Sequence, residues 1–124
     1  IDETLKRWFT PSFIEENPDI VSEVRSGVLS NDLNSYTQCR RVLASGVIEL
    51  IRPNPPICIP TLVMTCENDS GSTPAMANAI GEEIESSEVI IVPTLKHLGL
   101  LEKPKVFIDS LTVFLERHWH NLSL

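Results

Sequence analysis

The fold is decided by residues 59–104, which read IPTLVMTCENDSGSTPAMANAIGEEIESSEVIIVPTLKHLGLLEKP. Two apolar runs stand out: 62–66 has no polar alternation beyond its threonine, and 89–92 is β-branched throughout. Such runs predict strands that are covered on both faces, as in a parallel sheet. The segment between them has a helical pattern that begins at a threonine–proline pair. Strand, helix and strand in about thirty residues predict a right-handed βαβ unit with parallel strands.

A carboxylate and an imidazole follow these two strands. Asp69 lies three residues beyond the first strand and His97 five residues beyond the second. Because the carboxyl ends of parallel strands meet at one rim of a sheet, where ligands gather, we expect the two side chains to reach each other. A carboxylate that accepts the Nδ1 proton of a histidine leaves its other nitrogen free to act as a base. The alternatives are that Asp69 only forms its Asn-Asp-Ser-Gly turn, that His97 is structural, or that Glu67 is the carboxylate.

Two helices are predicted to cover this unit. The first begins at Ser72 or Thr73, ends at 86–87, and turns four apolar side chains inward, namely Met76, Ala77, Ile80 and Ile84. The second begins at Pro104 and carries an apolar stripe of Phe107, Leu111, Phe114, Leu115 and His118. Two parallel strands leave their edges unpaired. We therefore expect the sheet to pair with another chain or with a missing part of this one, and the isolated chain to self-associate as a homo-oligomer.

The first 52 residues predict a series of short amphipathic helices. One covers 2–9 with Asp2 as its cap, and the others begin at the pairs 10–11, 17–18 and 31–32. The third ends near Ser30, and Gly46 is expected to stop the fourth. Four prolines between 52 and 60 then break regular structure. We therefore divide the chain into a helical lid or cap segment, residues 1–52, and a β-α-β-α part, residues 53–124.

Composition excludes several classes of function. A net charge of −7 argues against a nucleic-acid partner, and no apolar run is long enough to span a membrane. Three cysteines without a CxxC spacing favour reduced, mostly buried thiols in a cytoplasmic protein. The first residues lack the layout of a signal peptide and an initiator methionine, which suggests a cut or processed chain.

Further candidates concern substrate and metal. Trp8 and Tyr36 are either core residues or part of an apolar substrate pocket. We assign Trp8, together with Leu98 next to His97, to substrate binding. His118 and His120 would project about 200° apart on a helix and so could not share an ion. No metal and no cofactor is predicted.

The motifs of this chain resemble the C-terminal half of the α/β-hydrolase fold. These are Ile-Pro-Thr-Leu-Val from residue 59, Glu-Asn-Asp followed by Thr-Pro, Lys-His at 96–97 and Glu-Lys-Pro at 102–104. The helical part, with Arg-Trp-Phe-Thr-Pro at 7–11 and Tyr36, is similar to the lid of the 3-oxoadipate enol-lactonase branch. The resemblance implies that Asp69 is the acid and His97 the base of a catalytic triad. Cys66 and Lys96 stand where the family usually has glycine.

The resemblance also implies a part that this sequence lacks. The family's nucleophile lies in a Gly-x-Ser-x-Gly turn upstream of the lid, and no such motif occurs in these 124 residues. We therefore expect a C-terminal fragment of a serine hydrolase that acts on a small carboxylic ester or lactone. One alternative is a non-catalytic binding or assembly module that dimerises through its open sheet edge. Another is a dehalogenase or a C–C hydrolase on the same scaffold.

Overall fold

The computed structural model describes residues 1–118. Four helices precede a βαβ unit, and two helices follow it. In chain order the elements are α1 Asp2–Trp8, α2 Pro11–Glu16, α3 Pro18–Leu29, α4 Leu33–Leu50, β1 Thr61–Cys66, α5 Pro74–Glu83, β2 Ser87–Val92, α6 Gly99–Glu102 and α7 Pro104–His118.

The two strands pair in parallel, as predicted. Their register runs from Thr61 opposite Ser87 to Cys66 opposite Val92, so both strands end at the same rim. Helix α5 connects them, and its Gly81 lies so close to Val89 that a Cβ at this position would collide with the valine side chain. The glycine therefore allows the connecting helix to pack closely against the sheet.

Helix starts follow the cap signals of the sequence. The side chains of Thr10, Asp32 and Thr73 each accept a backbone N–H in the first turn of α2, α4 and α5. Asp2 differs, because it is the first residue of α1 and not its cap. Asn17 precedes α3 without capping it through its side chain, which donates to the carbonyl of Phe13 instead.

The core lies beneath the rim of the sheet. Cys66 and Val92, the last residues of the two strands, pack with Leu95, and three partly buried side chains surround them, Met64, Ile90 and Phe107. From the helical part, Leu5 and Phe9 are buried, and Phe9 has no exposed surface at all. The loops that follow the strands therefore rest on a packed base.

Besides the cap of α1, three more expectations from the sequence are wrong. Helix α4 continues through Gly46 to Leu50, because a glycine inside a helix costs only about 1 kcal/mol, and Gly46 does not adopt the positive φ of a helix end. Met76 and Ile80 of α5 are exposed, since the described residues provide no surface to cover that side of the helix. Only one cysteine, Cys66, is buried, whereas the other two are exposed.

Much apolar surface stays uncovered. Neither α3 nor α4 contains a buried residue, and Ile48 in α4 is 77% exposed. In residues 1–118, no helix has the length and apolar character needed to cross a membrane.

Candidate active site

The Asp69 carboxylate lies in the turn after β1 and is held by that turn. Its Oδ1 accepts the backbone N–H groups of Gly71 and Ser72 over 2.7 and 2.9 Å. The hydroxyl of Thr65 donates to the Ser72 carbonyl and ties this turn back to the strand. One carboxylate oxygen of Asp69 therefore stabilises the turn, and the other oxygen makes no bond within it.

That second oxygen contacts the imidazole of His97. Asp69 Oδ2 lies 2.8 Å from Nδ1 of His97, and this is the pairing predicted from the two strand ends. The aspartate side chain is only 5% exposed, whereas the histidine side chain is 39% exposed. The pair thus has a buried acidic end and an imidazole that opens to solvent.

Hydrogen bonding keeps Asp69 ionised. Burial by itself raises the pKa of this carboxyl, but the N–H of Ser72, the ring of His97 and the N–H of Gly71 outweigh it and lower the pKa. An ionised carboxylate only accepts hydrogen bonds, so Nδ1 of His97 must be the donor. The neutral imidazole then presents Nε2 as an acceptor, which is the arrangement of a general base.

Glu67, the rival carboxylate, points elsewhere. Its Oε2 accepts the backbone N–H of Thr94 over 2.8 Å, and its own N–H donates to the carbonyl of Val92. It therefore braces the loop after β2 and does not bind the histidine.

A cleft of about 460 Å³ opens beside this pair. Its wall includes the two candidates from the sequence, Trp8 and Tyr36, and the Trp8 ring lies 5.8 Å from the His97 ring between their centroids. Leu98 does not line this cleft, although its backbone N–H donates to the carbonyl of Trp8.

Known proteins with similar sequences and structures are hydrolases. The chain is 30% identical over 112 residues to 3-oxoadipate enol-lactonase 2 of Acinetobacter baylyi, a match that covers 90% of this chain and 40% of that protein. It is 27% identical to an (E)-2-((N-methylformamido)methylene)succinate hydrolase of the same organism, covering 94% and 43%. The solved enol-lactonase of Burkholderia xenovorans LB400 superimposes with a TM-score of 0.79 at 26% identity, covering 93% of this chain and 43% of that one. No family model matches.

This chain is a relative of the α/β-hydrolases. It spans about two fifths of the length of the relatives it matches and forms a partial α/β-hydrolase fold. The resemblance drawn from the sequence motifs is therefore confirmed at the level of the fold.

Sequence reasoning missed two cationic side chains of this hydrolase relative. Arg7 and Arg40 line the same cleft as Asp69 and His97. Neither arginine forms an ion pair or a side-chain hydrogen bond within residues 1–118, unlike Arg25 and Arg117. Since Arg7 precedes Trp8, it could have been suspected from the sequence, but Arg40 lies on α4 and is brought in only by the fold.

Cys66 is not a candidate nucleophile. Burial raises the pKa of its thiol, and the nearby charge of Asp69 adds to this effect. The thiol is therefore protonated at neutral pH and sits in the core beneath the His97 loop.

His118, the helix-end histidine that the structure describes, is not part of a metal site. Nε2 of His118 lies 3.2 Å from Oε1 of Glu88, and its ring packs against Phe114. His120 lies outside the described residues. Within residues 1–118, no group of three or more His, Cys, Asp or Glu side chains is arranged to hold a metal ion.

Proposed function

We propose that Asp69 and His97 are the acid and base of a catalytic triad that hydrolyses a small carboxylic ester or lactone. The 2.8 Å hydrogen bond between Asp69 Oδ2 and His97 Nδ1 is the observation that carries this proposal. The relatives, named as a lactonase and a hydrolase, support the reaction class.

The proposed chemistry uses the free nitrogen of the imidazole. Nε2 of His97 takes the proton of a nucleophilic hydroxyl while the hydroxyl oxygen bonds to the carbonyl carbon of the ester. The imidazolium, stabilised by Asp69, then gives that proton to the leaving alkoxide as the C–O bond breaks. Water repeats the same transfer to release the acid from the acyl-enzyme. Because these 124 residues contain no Gly-x-Ser-x-Gly motif, we expect the serine from outside this sequence.

The charge of the cleft suggests which esters or lactones would bind. The chain as a whole carries a net charge of −7, yet Arg7 and Arg40 line this cleft without a carboxylate partner in the described residues. A guanidinium binds a carboxylate through two parallel hydrogen bonds, which gives both affinity and orientation. We therefore expect a substrate that carries a carboxylate besides its ester or lactone group.

A chromogenic ester tests the role of the pair in the full-length protein that contains this sequence. We expect His97→Ala to lower kcat/KM for 4-nitrophenyl hexanoate by on the order of 10³-fold or more, because the base and the stabilised imidazolium are both lost. His118→Ala is the matched control and should turn over at the wild-type rate. Equal turnover by His97→Ala and the wild type would overturn the assignment.

The expected carboxylate preference has its own test. Mono(4-nitrophenyl) adipate and 4-nitrophenyl hexanoate differ only in the terminal carboxylate. We expect the double variant Arg7→Gln/Arg40→Gln to lose about tenfold or more in kcat/KM for the adipate ester and little for the hexanoate, since a charged hydrogen bond contributes about 1.5–3 kcal/mol. Arg41→Gln, next to Arg40 but outside the cleft, is the control. An equal loss on both esters would contradict the preference.

The open sheet favours a second proposal, an assembly role. In the described residues the sheet has two strands, so its outer edges are unpaired and its helices leave apolar faces exposed. We propose that residues 1–52 act as a lid and that residues 53–124 are part of a larger hydrolase sheet. The unpaired edges of the two strands would then pair with the rest of that sheet or with a second copy of the chain. A strictly monomeric species in sedimentation of the 124-residue chain at micromolar concentration would contradict pairing with a second copy.

A further inference from the structure

The carboxylate of Glu102 holds the junction between α1 and α2. Its Oε1 accepts the backbone N–H of Thr10 over 2.8 Å, and its Oε2 accepts the Thr10 hydroxyl over 2.6 Å. The same hydroxyl oxygen accepts the N–H of Phe13 as the cap of α2. Hydrogen bonds to an ionised carboxylate are about twice as strong as bonds between neutral groups. Glu102 is therefore a firm anchor for a segment 92 residues away in sequence.

Two more hydrogen bonds fasten the same segment on both sides of His97. Lys96 donates from Nζ to the carbonyl of Lys6 over 2.7 Å, in the last turn of α1 where a cation is favourable. Leu98 donates its backbone N–H to the carbonyl of Trp8 over 2.8 Å. The residues just before and just after the candidate base thus both bind α1.

These anchors hold the backbone around Trp8. Its carbonyl is tied to Leu98, the next residue, Phe9, is fully buried, and Thr10 is tied to Glu102. With the backbone fixed on both sides, the indole stands against the His97 ring at a centroid distance of 5.8 Å and an interplanar angle of 34°.

We propose that Glu102 is a positioning residue for the reaction of the Asp69–His97 pair. It acts through Thr10, which places the Trp8 ring as a wall of the cleft against the imidazole. Asp69 holds the Nδ1 end of the histidine, and the anchored indole limits the space on the ring's face. Lys96, the residue before His97, supports the same position of the Trp8 ring through its bond to α1.

The competing explanation is that Glu102 only stabilises the fold. In that case its loss would lower the melting temperature and leave the folded site unchanged. The environment of His97 in the folded protein separates the two explanations, because the Trp8 ring current shifts the Hε1 proton of His97 only while the indole stays in place.

The experiment compares three variants in the full-length protein, well below their melting temperatures. Glu102→Gln, and Thr10→Val, which removes the cap of α2 as well as the donor to Glu102, should both move the His97 Hε1 resonance toward that of an exposed histidine. Both should lower kcat/KM for 4-nitrophenyl hexanoate, Glu102→Gln by about tenfold and mainly through KM, since small displacements of a positioning group are costly while Asp69 still holds the base. Thr10→Ser keeps both donors and should restore wild-type values.

The control is Glu116→Gln, an exposed acid on α7 whose carboxylate has no hydrogen-bond partner within residues 1–118 and whose loss should change nothing. If Glu102→Gln and Thr10→Val lower the melting temperature but leave the Hε1 resonance and KM at wild-type values, the positioning role is wrong. The kinetic part rests on the proposed hydrolase function, whereas the resonance does not. Full turnover by His97→Ala would therefore overturn the proposed function alone.

Discussion

The two halves of the helical segment look alike in sequence and behave differently in the structure. Helix α1 buries Leu5, the junction between α1 and α2 buries Phe9, and Trp8 at the end of α1 is bonded to Leu98, the residue after His97. Helices α3 and α4 are also amphipathic but bury no residue. Their apolar faces are exposed, as shown by Leu33 and Ile48 of α4.

This difference divides the helical segment into a packed part and an exposed part. The first pair of helices belongs to the candidate site, because it supplies Trp8 and Arg7 to the cleft and is fixed by Glu102. The second pair contributes Tyr36 and Arg40 to the cleft wall but has apolar surface left over for other contacts. Burial, and not amphipathic pattern, separates the two.

The largest expected contrast between the halves lies in stability. We expect Phe9→Ala to lower the free energy of unfolding by about 3–5 kcal/mol, because a fully buried aromatic side chain leaves a cavity. Ile48→Ala on α4 should change it by less than about 0.5 kcal/mol, because the side chain is exposed. Urea unfolding followed by circular dichroism measures both. A large loss from Ile48→Ala would mean that α4 is covered in solution.

Replacing a glycine by alanine should change the free energy of unfolding in opposite directions next to α1 and within α4. A Cβ at Gly99, the first residue of α6 and the neighbour of the Leu98 that binds α1, would lie 2.5 Å from Cys66 Sγ and 2.9 Å from Leu95 Cβ. Gly99→Ala should therefore destabilise by about 1–3 kcal/mol through overpacking.

Gly46 is the matched position in α4, where a Cβ has no neighbour nearer than 4.0 Å. Gly46→Ala should stabilise the protein by about 0.5–1 kcal/mol, because alanine is the better residue inside a helix. Thermal unfolding of both variants tests this pair, and a loss of stability from Gly46→Ala would contradict the exposed placement of α4.

A smaller contrast is expected at acidic pH. The folded-state pKa of Asp69 is lowered, so its ionised form stabilises the protein above its ordinary pKa of about 4, and this contribution is lost as pH falls through the folded-state value. The free energy of unfolding should therefore fall more steeply below about pH 4 in the wild type than in Asp69→Asn.

Asp32, the cap of α4, provides the comparison for that titration. The backbone N–H and then the hydroxyl of Ser35 lower its pKa as well, but the carboxylate is fully exposed. Asp32→Asn should reduce the pH dependence of the free energy of unfolding at acidic pH less than Asp69→Asn does. A series of urea titrations between pH 2.5 and 5 gives both slopes, and equal slopes would argue against a special role for the buried carboxylate.

The sequence was sufficient for the parts of the site that depend on local signals. Threonine caps followed by proline placed α2 and α5, and apolar runs placed both strands in parallel. Since parallel strands end at one rim, the contact between Asp69 and His97 could be predicted from spacing alone.

Other parts depend on tertiary contacts and could not be read from the sequence. A glycine inside a helix costs only about 1 kcal/mol, so Gly46 did not stop α4. The hydrogen bond between Glu102 and Thr10 joins residues 92 positions apart, and no local sequence pattern predicts it. Likewise, Arg40 reaches the cleft only because α4 folds back toward the rim.

If Asp69 fixes His97 as a base with Nε2 free, nitrogen NMR of the imidazole reports it most directly. At a pH where His97 is neutral, we expect the Nδ1–H tautomer in the wild type and a shift toward the Nε2–H tautomer in Asp69→Asn. A wild-type histidine that carries its proton on Nε2, with no change in the variant, would contradict the account.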